Sequence, residues 1–139
     1  MKAWLSLTMG EVGPQHATGS EVSIRIVGET EGREMNLNYR HKDFSTNVLA
    51  FPSGLPEFED WPEDTPVPLG DLVICAPVVE REAAEQGKVL AHHWGHMLVH
   101  GTLHLLGYDH QTDAQAQKME TIEARILDSG GVPNPYEDG

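Results

Sequence analysis

Basic residues and cysteine are scarce in this sequence, and each shortage excludes a class of protein. Nine lysines and arginines stand against 22 aspartates and glutamates, a formal charge of −13. Such a chain repels a polyanion at long range, so a broad basic binding face is excluded and any contact with phosphate groups has to be local. The acid is unevenly spread, since Glu57, Glu59, Asp60, Glu63 and Asp64 fall together with no base among them. Cys75 is the single cysteine, which excludes an intramolecular disulfide and with it the small disulfide-stapled secreted domain. It sits in Leu72-Val73-Ile74-Cys75-Ala76 with no neighbouring charge to lower its pKa, and reads as a small buried hydrophobe rather than a reactive thiol. Nowhere is there an apolar run of about eighteen residues, the length a membrane helix needs. Residues 1–9 hold too short an apolar stretch, and no small-residue cleavage site, for a signal peptide, so the expected location is the cytoplasm.

What is present fits one core. With 139 residues and 39% apolar content, the expectation is a single domain over 1–139 ending in a Gly/Pro-rich tail from about residue 129 to 139. Alternating residues with β-branched character predict a strand over 21–27, and residues 30–39 a short helix with Thr30 as its cap. A second strand is predicted over 47–52, stopped by Pro52, and a third over 71–77, whose continuous apolar content implies burial on both faces. Between them, residues 53–68 hold four prolines, the acidic cluster, Phe58 and Trp61, and read as a long functional loop. Helices are predicted over 78–86, ending at Gly87, and over 90–106, ending at Gly107. A last helix starts after Gln111, where Thr112 and Gln115 make a capping-box pattern and Met119, Ile122 and Ile126 repeat on one face. The fold class is α/β (α+β), a small mixed β-sheet packed with helices.

The chemistry lies in the histidines. His100 and His104 stand four apart on the predicted helix, one turn from each other on the same face, close enough to share an ion. Gly107 then ends the helix and turns the chain so that His110 can supply a third ligand. The pattern H-x3-H-x5-H is similar to the ligand part of the metzincin signature, with Gly107 at its glycine. Three neutral imidazoles leave a coordination position open, the arrangement of a catalytic zinc, where a water's pKa falls to about 7. The glutamate of that signature is replaced by Gly101, so peptide hydrolysis by the same route is excluded, whereas a phosphodiester needs a metal and an arginine to meet spreading negative charge. His96 lies one further turn along the helix, as a packing or hydrogen-bonding residue ahead of an alternative ligand. His92 and His93 are expected to be exposed or near the site entrance, and His16 has no partner in sequence. Asp109 can orient a ligand, take a proton, or only stabilise the turn.

The run His100-Gly-Thr-Leu-His-Leu-Leu-Gly-Tyr-Asp-His110, with Gly70-Asp-Leu-Val-Ile-Cys75 and Tyr39-Arg-His-Lys-Asp43 followed by Thr46-Asn-Val-Leu49, resembles the YbeY family of bacterial endoribonucleases over about residues 21–136. That resemblance implies a zinc-hydrolase-like fold and a single-strand-specific, metal-dependent endoribonuclease. It further implies action in 16S rRNA 3′-end maturation and late ribosome quality control, with single-stranded RNA, rRNA, ribosomal particles and ribosome-associated proteins as partners. It makes His100, His104 and His110 the ligands of one Zn2+ ion, and Arg40 the catalytic arginine facing the substrate. Arg40 also belongs to the densest basic spot, Arg40-His41-Lys42, where a guanidinium fork suits a phosphate; a salt bridge to Asp43 is the competing reading. Two departures stand out. The N-terminus reads as short of a first strand and part of a first helix, exposing a sheet edge, and Ala50 stands where the family has serine. The alternatives are a zinc hydrolase of another bond and a non-enzymatic assembly factor whose zinc holds the fold together.

Overall fold

The computed structural model describes residues 2–12, 20–40, 46–52, 67–109 and 111–136. In chain order these form α1 (Lys2–Val12), β1 (Ser20–Val27), α2 (Glu29–Arg40), β2 (Val48–Pro52), β3 (Val67–Cys75), α3 (Ala76–Gln86), α4 (Leu90–Leu105) and α5 (Asp113–Ser129). The most apolar strand takes the middle of the sheet. The order is β1-β3-β2, with β1 parallel and β2 antiparallel to β3, so the sheet is mixed as expected. Leu72, Val73, Ile74 and Cys75 are all buried, because helices cover both faces of the sheet there. On one face Val73, Cys75, Leu49 and Val27 pack with Met35 of α2 and Val78 of α3. On the other, Leu72 packs with Leu105 and Ile74 with Met97 and Leu98, all three from α4. The far side of α4 is apolar too, and Val99 and Leu103 pack with Met119, Ile122 and Ile126 of α5 and with Trp4 and Leu7 of α1. A helix apolar on all sides has to lie between layers, and α4 does.

Several local expectations shift by a few residues for physical reasons. The third strand ends at Cys75, and Pro77 falls in the first turn of α3, where a missing N–H costs nothing. Helix α2 begins at Glu29, with Gly32 N–H donating to Gly28 C=O at 2.9 Å, so Thr30 sits inside the first turn rather than capping it. Strand β3 already starts at Val67, which shortens the connection read as 53–68; its residues 53–66, including Phe58, Trp61 and the acidic cluster, lie outside the described residues, as does His16. The capping box is realised: Thr112 Oγ1 accepts from Gln115 N–H at 3.1 Å and Gln115 Oε1 from Thr112 N–H at 3.2 Å. Past α5, residues read as a tail pack inward, with Val132 joining the α4/α5 core. Among the described residues no strand flanks the outer side of β1, where Ile26 is half exposed.

Gly70 is where this sheet is most sensitive. Its φ is +140°, and a Cβ there would stand 2.2 Å from Phe51 C=O oxygen and 2.9 Å from Pro52 Cα, both backbone atoms of the neighbouring strand. Strained φ and overpacking each cost about 1–3 kcal/mol, so Gly70→Ala is expected to lose about 3 kcal/mol or more in urea unfolding. Gly87→Ala, at positive φ but with open space around it, is expected to lose clearly less.

Candidate active site and metal centre

Four residues apart on α4, His100 and His104 turn their rings toward each other, with Nε2 atoms 3.1 Å apart and ring centroids 4.6 Å apart. Two nitrogens bound tetrahedrally at about 2.0–2.1 Å from zinc lie about 3.3 Å from one another, so this pair fits a shared ion. The other nitrogen of His100, Nδ1, lies 2.5 Å from Glu123 Oε1. An ionised carboxylate only accepts, so Nδ1 carries the proton and Nε2 presents its lone pair to His104, the tautomer a metal ligand needs.

Glu123 is a carboxylate that the sequence pattern does not reveal, since the expected helix position holds Gly101. It comes from a different helix. On α5, Met119, Ile122, Glu123 and Ile126 occupy one face at spacings of three and four, so an acid interrupting the apolar stripe was the available signal. Its side chain is fully buried. Oε2 lies 2.8 Å from His96 Nε2 and accepts from the Tyr136 hydroxyl, which itself lies 3.0 Å from His96 Nε2. Burial pushes the carboxyl pKa up, but the hydrogen bonds from His100, His96 and the Tyr136 hydroxyl outweigh it and hold the group at about 2. Tyr136 is driven well above the usual phenol value, by its own burial first and by Glu123 second. His96 therefore takes the hydrogen-bonding part expected of it.

A second ligand arrangement also exists: His96, His100 and Glu123 offer atoms lying within 4.8 Å of one another. The described residues thus include groups able to hold a metal ion. Both oxygens of Glu123 already face hydrogen-bond donors in a solvent-free setting, whereas His100 and His104 border an open cleft.

That cleft, of about 650 Å³, is lined by Asn36 and Arg40 of α2, by Asn47, by His100 and His104, and by Asp109 among others. Arg40, from the last turn of α2, therefore shares one cavity with the histidine pair, and Asp109 lies on its wall. His110, and with it His41, Lys42 and Asp43, lies outside the described residues. His93 is not at an entrance. It is 3% exposed and its Nε2 lies 3.1 Å from Glu82 Oε1, whose carboxylate also accepts from Asn47 Nδ2 at 3.1 and 3.3 Å. The pairing shields a polar ring in the core and props Asn47 at the mouth of β2. Gly101 also finds its reason, since a Cβ there would meet Leu72 Cδ2 at 2.8 Å and Val48 Cγ2 at 3.2 Å. The position where metzincins carry a glutamate is pressed against the sheet.

The α+β fold thus gathers a histidine pair, a carboxylate behind it and an arginine around one cleft, groups able to hold a metal ion beside an anion. The chain belongs to the YbeY family: the family described as Endoribonuclease YbeY matches residues 1–131. Members of that family are hydrolases acting on RNA phosphodiester bonds. The chain is 54% identical over 138 residues to Endoribonuclease YbeY of Pseudomonas putida (strain W619), covering 99% of this chain and 83% of the relative. It is also 54% identical to the protein of that name from Halorhodospira halophila, covering 99% of this chain and 86% of the relative. The solution structure of TM1509 from Thermotoga maritima shares the fold, with a TM-score of 0.55 at 24% identity over 99% of this chain and 88% of that one. No helix of the described residues is long and apolar enough to cross a membrane.

Proposed function

We propose that this protein is a zinc-dependent endoribonuclease specific for single strands, which cuts ribosomal RNA in the cytoplasm, at the 3′ end of 16S rRNA and in late ribosome quality control. The observation that carries the chemical part is the facing pair of Nε2 atoms, 3.1 Å apart, on the wall of the cavity that also holds Arg40. The ribosomal assignment, with ribosomal particles and their proteins as partners, rests on membership of the family. His100, His104 and His110 hold the ion. When bound, zinc supplies a Lewis acid for a phosphoryl oxygen and lowers the pKa of a water to about 7. Arg40 grips the non-bridging phosphate oxygens and meets the charge that grows on them. Glu123 fixes His100 in the tautomer and rotamer that ligation demands. A net charge of −13 speaks against attraction for RNA over the whole surface and so supports a local contact.

The test is cleavage of matched single-stranded and duplex oligoribonucleotides. Cleavage of the single strand alone, abolished by a chelator and restored by zinc, is the expected result; zinc-loaded protein that cuts no RNA overturns the reading. Arg40→Ala is expected to lower kcat/KM by about 10²–10³-fold, the usual effect of removing one charge-stabilising donor, with zinc content unchanged. Peptide hydrolysis that survives this substitution would point to another bond class.

A further inference from the structure

We propose that Tyr39 is a stacking platform for one unpaired base of the RNA, in a second cavity beside the cleft; this rests on the RNA-cleaving reading above. Tyr39 is 65% exposed, the most exposed of the large apolar side chains among the described residues. It is nevertheless held in place. Its ring meets Phe51 edge to face, with centroids 5.2 Å apart and planes at 71°, and Phe51 is anchored against the cluster of Leu49 and Val73. A ring pre-set in this way loses little conformational freedom when a second π-face covers it.

The space beside the ring suits a base. The cavity measures about 410 Å³ and is lined by Ser23, Arg25, Tyr39, Phe51 and Asp71 among others, within the size range of small-ligand pockets. Its charges argue against a phosphate there. Arg25 is already paired with Glu31, and Asp71 is exposed and acidic. A neutral planar group with N–H donors on its edge fits these surroundings, with Asp71 and the Ser23 hydroxyl as acceptors. The cavity and the cleft draw residues from the same two elements, on the two faces of the edge strand β2. Tyr39 precedes Arg40, and Phe51 lies between Ala50 and Pro52; Arg40, Ala50 and Pro52 all line the cleft. The end of α2 and strand β2 thus contribute residues to both cavities, and Tyr39 adjoins Arg40, so a strand whose phosphate is held at Arg40 can place a neighbouring base on Tyr39. Stacking tolerates any base, and a duplex cannot offer one, which gives the single-strand preference a physical source.

The experiment uses zinc-loaded protein and a ten-nucleotide single-stranded oligoribonucleotide carrying 2-aminopurine, whose fluorescence is quenched on stacking. Affinity is read by anisotropy, and zinc content and circular dichroism are checked for each variant. Tyr39→Ala and Tyr39→Leu are expected to bind about 5- to 150-fold more weakly and to lose the quenching, while Tyr39→Phe recovers both. Tyr39→Leu binding within about twofold of wild type, while Arg40→Ala binds poorly, overturns the platform and leaves the RNA reading intact. Equal losses for Tyr39→Phe and Tyr39→Leu also overturn it, since the hydroxyl and not the ring would then be the contact. Wild-type protein that neither binds nor cuts RNA removes the RNA reading and the platform together.

Discussion

His104→Ala protein is expected to fold and to contain no zinc, and to cut RNA more than about 100-fold more slowly than wild type. The size follows from comparison: losing a group that merely orients a ligand costs about 10–100-fold in metal affinity or activity, and losing the ligand itself costs more. The fold survives because His104 borders the cleft and is only partly buried, while the core around it is built from Leu103, Leu105 and their neighbours on α5 and the sheet. Metal analysis by mass spectrometry, circular dichroism and single-strand cleavage on the same preparation check the three parts. A variant that unfolds would favour the non-enzymatic reading, in which zinc serves mainly to hold the structure. A folded variant that keeps its zinc would move the ion to the group formed by His96, His100 and Glu123.

Glu123→Ala is expected to have the largest effect on stability. The substitution deletes the common acceptor of His96, His100 and Tyr136, a side chain with no solvent exposure, and leaves three donors without their partner. Removing one partner from a buried charged network costs about 3–5 kcal/mol. For a chain of this size that lowers Tm by on the order of 10 °C or more. Glu123→Gln keeps the volume and one acceptor oxygen, so its stability loss is expected to be the smaller of the two. It still weakens the hold on the His100 Nδ1 proton, and zinc affinity is expected to fall by about 10–100-fold. Thermal unfolding and competition with a chelator dye measure the two quantities separately. Unchanged zinc affinity in Glu123→Gln would sink the orienting role.

Much of this was readable in advance wherever the determinant is local. The i, i+4 spacing of His100 and His104 already places both on one helical face, and a helix delivers that spacing whatever surrounds it. The capping box at Thr112 and Gln115 closes through atoms three residues apart, and the apolar run ending at Cys75 becomes the central strand because both of its faces need cover. The sequence alone therefore determined most of the elements, though not α1, together with the buried strand and the facing pair of histidines.

Only the tertiary structure decided what those elements meet. Glu123 lies 23 residues from His100, and Tyr136 lies 40 from His96, so neither contact leaves a periodic trace. Pairing Glu82 with His93 takes two helices packed side by side, which is why a buried histidine looked like a surface one. The position of Arg40 across the cleft from the histidines depends on where α2 comes to rest against the sheet. Hydrogen-bonding distance and burial are properties of three-dimensional packing, and a linear pattern records only the residues that packing has to work with.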